Sequence, residues 1–231
     1  MNLNNRSYKK ELLDDENIPF ADIQRNMEEL NFINTYLGGH AITIAGLKKL
    51  VGDKKQIHVC EIGCGGGDNL LAILKWCNRK RIEISFTGID IQPACIAFAK
   101  TRKALQNNTD WIISDYKMAI FKKQPDIIFS SLFCHHFTEV ELVEQLRWMQ
   151  QNSIVGFFIN DLQRHWLAYR SIKLLTRIFS RSYLVKNDAP LSVARGFIKP
   201  EWINILKEAN IRHISIEWKW AFRHLIVSQN L

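Results

Sequence analysis

The sequence predicts an α/β fold, a mostly parallel sheet with helices on both faces. Three observations predict it. Short apolar runs alternate with amphipathic segments from residue 56 to residue 159. A glycine-rich turn, Gly63-Cys64-Gly65-Gly66-Gly67, follows the first apolar run. The tail carries two strand-like runs, 214–220 and 224–228, meeting at a tight turn near Ala221 and Phe222. An antiparallel pair would close an otherwise parallel sheet there.

The elements follow in order. Residues 8–36 place Leu12, Leu13, Met27, Leu30, Ile33 and Leu37 among polar residues, a helical pattern that Pro19 divides. Leu37-Gly38-Gly39-His40 breaks it, and a second helix runs to about residue 50. Residues 1–50 thus read as a helical cap on a domain spanning 51–231. Residues 56–62, 84–89, 111–114, 126–132 and 154–159 read as strands. Residues 68–76, 93–105 and 140–150 read as helices, the second with proline in its first turn. Residues 164–182 read as one inserted helix, part of a lid at about 161–198. Arg170, Lys173, Arg177 and Arg181 make a basic stripe on it, and Leu167, Leu174, Leu175 and Ile178 an apolar side. The outer face is expected to be basic and solvated.

A chain of 231 residues fits one sizeable domain. Its polar first residues do not read as a secretory signal, and no apolar run reaches the length of a membrane span. The five cysteines form no C-x-x-C pair, which points to a reducing cytoplasm. The net charge of +8 is uneven. Residues 163–224 hold 12 Lys/Arg and 4 Asp/Glu, and the remainder holds 19 of each sign. Such a bias favours an acidic ligand, an acidic partner or a membrane surface.

In an open parallel sheet, ligands sit beyond the carboxyl ends of the strands. The glycine-rich turn lies there. Its spacing is not G-x-G-x-x-G, and Glu61 just before it would repel a pyrophosphate. A carboxylate at that place suits a cationic ligand that also carries hydroxyls. Asp90 closes a second strand, where a carboxylate accepts from ribose hydroxyls, and Asp115 closes a third, where it can accept from an adenine amino group. S-adenosylmethionine has a sulfonium, an amino acid end and no phosphate, and it fits all three.

With these residues the chain resembles the class I S-adenosylmethionine-dependent methyltransferases. "CEIGCGGG" is similar to the family's first motif, "FTGIDI" to its ribose motif, "SDY" to its adenine motif, and "PDIIFSSLFCHHF" to its fourth strand and following loop. The resemblance covers roughly residues 20–231 and is strongest to the small-molecule group related to quinone-biosynthesis enzymes. "NTYLGGH", "NDLQRHW" and "SVARGFIKPEW" resemble a bacterial subgroup associated with polyketide-type secondary metabolism. The resemblance implies a Rossmann-like sheet of seven strands with an antiparallel last strand. It implies S-adenosylmethionine as cofactor, held by Glu61, Gly63, Cys64, Gly65, Asp90, Ile91, Ser114, Asp115, Tyr116 and Leu132.

Methyl transfer needs donor and acceptor aligned in line, and a base only where the acceptor has a proton to lose. His135 and His136 follow the fourth strand and are the candidate bases; an alternative is that they only hold their loop. No carboxylate or cysteine cluster completes a metal set with them, so no metal is expected. Arg164, Trp166 and Arg195 are candidate acceptor-binding residues, the arginines for a carboxylate. The alternative for Asp161 and Arg164 is an ion pair with each other across one helical turn. The expected acceptor is a small aromatic or polyketide-like hydroxyl or carbon, acidic or carrier-bound. A nucleic-acid methyltransferase and a non-catalytic binding protein of the same fold are the alternatives.

Overall fold

The computed structural model of the protein describes residues 3–15 and 17–230. Seven strands form one sheet: β1 (Gln56–Ile62), β2 (Glu83–Asp90), β3 (Thr109–Ile113), β4 (Ile127–Ser131), β5 (Gly156–Leu162), β6 (Ile214–Lys219) and β7 (Arg223–Gln229). Their order is β3-β2-β1-β4-β5-β7-β6. β1 to β5 pair in parallel, and β7 runs antiparallel to both β5 and β6. This is the Rossmann-like sheet with an antiparallel last strand that the sequence implied. Ala221 and Phe222 both take positive φ, +58° and +54°, which makes the tight hairpin turn between β6 and β7.

β1, β4 and β5 are apolar along most of their lengths because both sheet faces are covered. On one face α5 (Glu139–Asn152) and α8 (Lys199–Glu208) pack around Trp202, Phe157 and Leu146. On the other, α2 (Gly39–Val51) and α3 (Asp68–Lys80) pack on Val59, Phe129 and Phe158. Gly46 lets α2 approach, since a Cβ there would lie 2.5 Å from the Phe158 ring. Of residues 1–50, then, α2 belongs to the sheet core. α1 (Phe20–Tyr36) and the segment before it lie over the carboxyl edge, where α1 packs its Ile23 and Met27 on Cys95 and Phe98.

Three expected helices differ. Residues 8–36 form only a 3-10 turn at Leu12–Asp14 and then α1; Glu16, within the expected helix, lies outside the described residues. The amides of Leu12 and Leu13 donate to the two Asp188 oxygens at 2.9 and 3.0 Å, and this long-range capture replaces helical bonding. Residues 93–105 split into α4 (Pro93–Lys100) and a 3-10 turn at Lys103–Leu105. The Thr101 hydroxyl donates to the Phe98 carbonyl at 2.7 Å and competes with the helix there. Residues 164–182 form a shorter α6 (Trp166–Phe179), followed by α7 (Tyr183–Arg195). Glu29 of α1 accepts from the amides of Arg181 and Ser182 at 2.9 and 3.0 Å, which ends one helix and starts the next.

Candidate active site

The carboxyl ends of β1 to β3 gather acidic residues, from buried Glu61 through half-buried Asp90 to exposed Asp115. Glu61 is 1% exposed, and one of its oxygens accepts from the Asn69 amide at 2.8 Å. The other, Oε2, has no hydrogen-bond partner among the described residues. Burial first, and the nearby Asp68 second, push the Glu61 carboxyl well above the usual carboxylate range. Burial likewise raises the Asp90 carboxyl, against hydrogen bonds from the amides of Gln92 (2.9 Å) and Gly65 (2.8 Å). Among the described residues the groups hydrogen-bonded to Glu61 and Asp90 are neutral amides, and an ammonium or sulfonium ligand supplies a cation. The loop between them is a cradle. Gly63 takes φ +66°, and a Cβ on it would lie 2.2 Å from the Phe133 ring; Gly65 takes φ +49°, with the Met27 sulfur 3.5 Å from where a Cβ would stand. These residues fit S-adenosylmethionine.

The other expected cofactor residues divide. Ile91 and Asp115 are exposed at the same edge, and the Asp115 carboxylate caps the amide of Lys117 at 2.9 Å. Ser114 is half-buried beside it, its hydroxyl donating to the Asp115 carbonyl. Cys64 faces inward and offers only backbone. Tyr116 is corrected: its ring sits in the core, edge-on to Trp148 at 5.1 Å and Phe137 at 6.3 Å. Leu132, at φ +55°, lines the cavity described next.

That cavity, of about 410 Å³, lies beside the first site. Its walls are mostly apolar: Ile33 of α1 and Leu37 just after it, Leu167 and Leu175 of α6, Trp220 and Phe222 at the hairpin turn. His135, His136, Glu11 and Arg223 are the charged or titratable groups that meet there, with Asp188. His135 is buried, its Nδ1 2.8 Å from Asp161 Oδ1 and its Nε2 3.6 Å from Glu11 Oε1. Burial alone would lower its pKa; Asp161 and Glu11 outweigh burial and lift it to about 9. The same pairing holds both carboxyls below their usual range against the opposing effect of burial. His135 therefore carries its proton at neutral pH. His136 is more open, with Nε2 3.7 Å from Glu11 Oε2 and Nδ1 3.4 Å from Asp14 Oδ1.

The candidate acceptor-binding residues are corrected by their placement. Arg164 is buried away from the cavity. It grips Glu201 at 2.7 and 3.0 Å and the Gly196 carbonyl at 2.7 Å. Arg195 is buried too, donating to the His135 carbonyl at 3.0 Å and the Lys9 carbonyl at 2.6 Å. Trp166 is exposed at the start of α6, near Arg170. The two arginines fasten loops; neither lines the cavity. Asp161 pairs with His135, so its expected pairing with Arg164 does not form.

Two residues were missed. Glu11 arrives from the N-terminal segment and supplies the carboxylate that no local pattern offered. It brings ligand-type atoms of Glu11, His135 and His136 within 4.8 Å of one another, a spacing that a divalent cation can span. Arg223 is 3% exposed and lines the cavity. Its Nη2 donates to Asn34 at 3.0 Å, but Nε and Nη1 have no partner among the described residues. Burial lowers its pKa to about 10, so it stays charged at neutral pH. The sequence signal was an arginine at the start of the last strand, just before the apolar run Leu225-Ile226-Val227.

A family model described as "Methyltransferase domain" matches residues 59–152. Malonyl-[acyl-carrier protein] O-methyltransferase 1 of Ilyobacter polytropus is 34% identical over 80 residues, which is 35% of this chain and 28% of that protein. The chain thus matches little more than a quarter of the length of this curated relative. Among solved structures, the plantazolicin methyltransferase in complex with SAH aligns over 92% of this chain and 89% of its own, with TM-score 0.64 and 19% identity. Human N-acetylserotonin methyltransferase in complex with SAM aligns over 92% of this chain and 56% of its own, with TM-score 0.64 and 14% identity. These two likenesses are of fold. Residues 59–152, from β1 to α5, thus match a methyltransferase domain, on a fold and with acidic strand ends like those of the class I S-adenosylmethionine-dependent methyltransferases.

Proposed function

We propose that this protein transfers a methyl group from S-adenosylmethionine to a small, largely apolar acceptor, an aromatic or polyketide-like hydroxyl or carbon. One observation carries the reading: an apolar cavity of about 410 Å³ that holds a histidine pair and a buried arginine beside the acidic cofactor edge. The bound cofactor supplies an already activated methyl group. The chain's own work is to align the acceptor, exclude water and take its proton.

The two histidines divide that work. His135 already carries a proton and ties Asp161 to Glu11, so it positions the loop. His136, open to the cavity, is the proposed base, with Glu11 and Asp14 to hold the charge it gains. Arg223 replaces Arg164 and Arg195 as the proposed acceptor contact. Its free N–H groups suit an oxygen that gains negative charge as the proton leaves.

The malonyl-[acyl-carrier protein] methyltransferase likeness supports an acyl-type or carrier-bound acceptor as a second form of the same reading. The test is incubation of the pure protein with methyl-labelled cofactor and a fractionated extract. Label entering an organic-soluble small molecule is expected. Label entering only nucleic acid, or no turnover with any fraction, would overturn the proposal.

A further inference from the structure

α6 has no acidic residue in its fourteen. The sequence predicts a basic, solvated outer face for it, yet Leu167, Leu174, Leu175 and Ile178 are 43, 59, 40 and 61% exposed. At about 100° per residue, these four share one arc of the helix, and Trp166, Arg170, Lys173 and Arg177 fill the arc beside it. The helix thus shows water an apolar band flanked by a basic one. Leu167 and Leu175 line the cavity, so the apolar band runs from the cavity wall out to the surface. Phe179, at the C-terminal end, is 75% exposed. A face built for water would not leave Leu174, Ile178 and Phe179 there. An amphipathic helix with basic flanks and aromatic ends has the chemistry of a bilayer interface.

We propose that α6 seats the protein on an anionic lipid surface. The apolar band enters the acyl boundary, and the basic band meets the headgroups. The cavity beside it takes an amphiphilic acceptor from the lipid. The acceptor part rests on the function proposed above; the surface itself does not. No described helix is long and apolar enough to cross a membrane, so the attachment is peripheral. The lipid is favoured over an acidic carrier protein by the apolar band: a carrier recognised by charge would use the basic arc and leave Leu174 and Ile178 in water.

The test is co-sedimentation of the whole chain with vesicles of phosphatidylcholine alone and of an equal mixture with phosphatidylglycerol. Partition into the mixed vesicles should be roughly ten-fold stronger and should weaken as salt rises. Leu174→Ser/Ile178→Ser should lower it by roughly ten-fold while leaving the melting temperature and cofactor binding unchanged. Arg170→Gln/Arg177→Gln should do the same. Brominated lipid should quench tryptophan emission of the wild type, and less so in Trp166→Phe, which gives a readout without disturbing the apolar band. Wild-type partition in the Leu174/Ile178 variant would overturn the proposal. So would absence of vesicle binding and quenching, including where the protein instead binds an acidic acyl carrier protein. Methyl transfer plays no part in these readouts, so failure of the proposed activity would leave a positive vesicle result standing.

Discussion

The two halves of the carboxyl edge carry opposite electrostatic demands. Over β1 and β2, buried Glu61 sits near Asp68 and half-buried Asp90, and desolvation raises the pKa of both Glu61 and Asp90. Over β5 and β7, Asp161 and Glu11 raise the pKa of His135, and Arg223 keeps Nε and Nη1 without partners among the described residues. One half presents carboxyls bonded to neutral amides, and the other a guanidinium whose Nε and Nη1 have no acceptor among the described residues. A sulfonium cofactor and an acceptor losing its proton fit the two halves in that order. The contrast teaches that the site is divided by charge before any ligand enters it, so substitutions on the two sides should separate binding of donor from binding of acceptor.

The largest expected effect breaks the acceptor half. His136→Asn should lower kcat by about 10²–10⁴-fold and leave cofactor affinity intact. With a phenolic acceptor the loss should shrink at high pH, where solvent supplies the phenolate. A pH–rate profile reads this, and a wild-type rate would leave alignment alone as the mechanism. The next effect breaks the cofactor half. Asp90→Ala should weaken cofactor binding by about 1.5–3 kcal/mol, the scale of a hydrogen bond to a charged group, as titration calorimetry would record.

Arg223→Met sharpens the comparison. It should raise the acceptor KM by about ten-fold with little change in cofactor affinity. The melting temperature should not fall, because the change removes a buried cation that is only partly satisfied. A fall in stability with unchanged KM would reduce Arg223 to a structural residue.

The smallest effect is a pH slope. The folded-state pKa of His135, about 9, lies above the usual histidine value of about 6.5. Its contribution to stability is therefore full below about pH 6.5 and is lost as pH rises through about 9. Melting temperature should decline over that window in the wild type and decline less in His135→Asn. Equal slopes would place the charge elsewhere.

The cofactor half was legible because its residues are local. Glu61, Gly63, Gly65 and Asp90 all stand at strand ends that the alternation of apolar runs marks out. β1 was read at its observed bounds, and the positive-φ hairpin at Ala221 and Phe222 was placed. Tyr116 failed because adjacency to Asp115 says nothing about which way a ring turns. The acceptor half was less legible because long-range partners build it. Glu11 reaches His135 across more than a hundred residues, and Asp188 pulls Leu12 and Leu13 out of a helical pattern. Arg164 and Arg195 looked like ligand groups because a single sequence does not reveal Glu201 or the loop carbonyls that occupy them.

The account rests on the acidic edge holding a cationic cofactor, and calorimetric titration with S-adenosylmethionine and, in parallel, NAD tests that most directly. S-adenosylmethionine should bind at one site per chain, with affinity lost in Asp90→Ala, and NAD should give no saturable heat. Tight NAD binding with no S-adenosylmethionine binding would contradict the account.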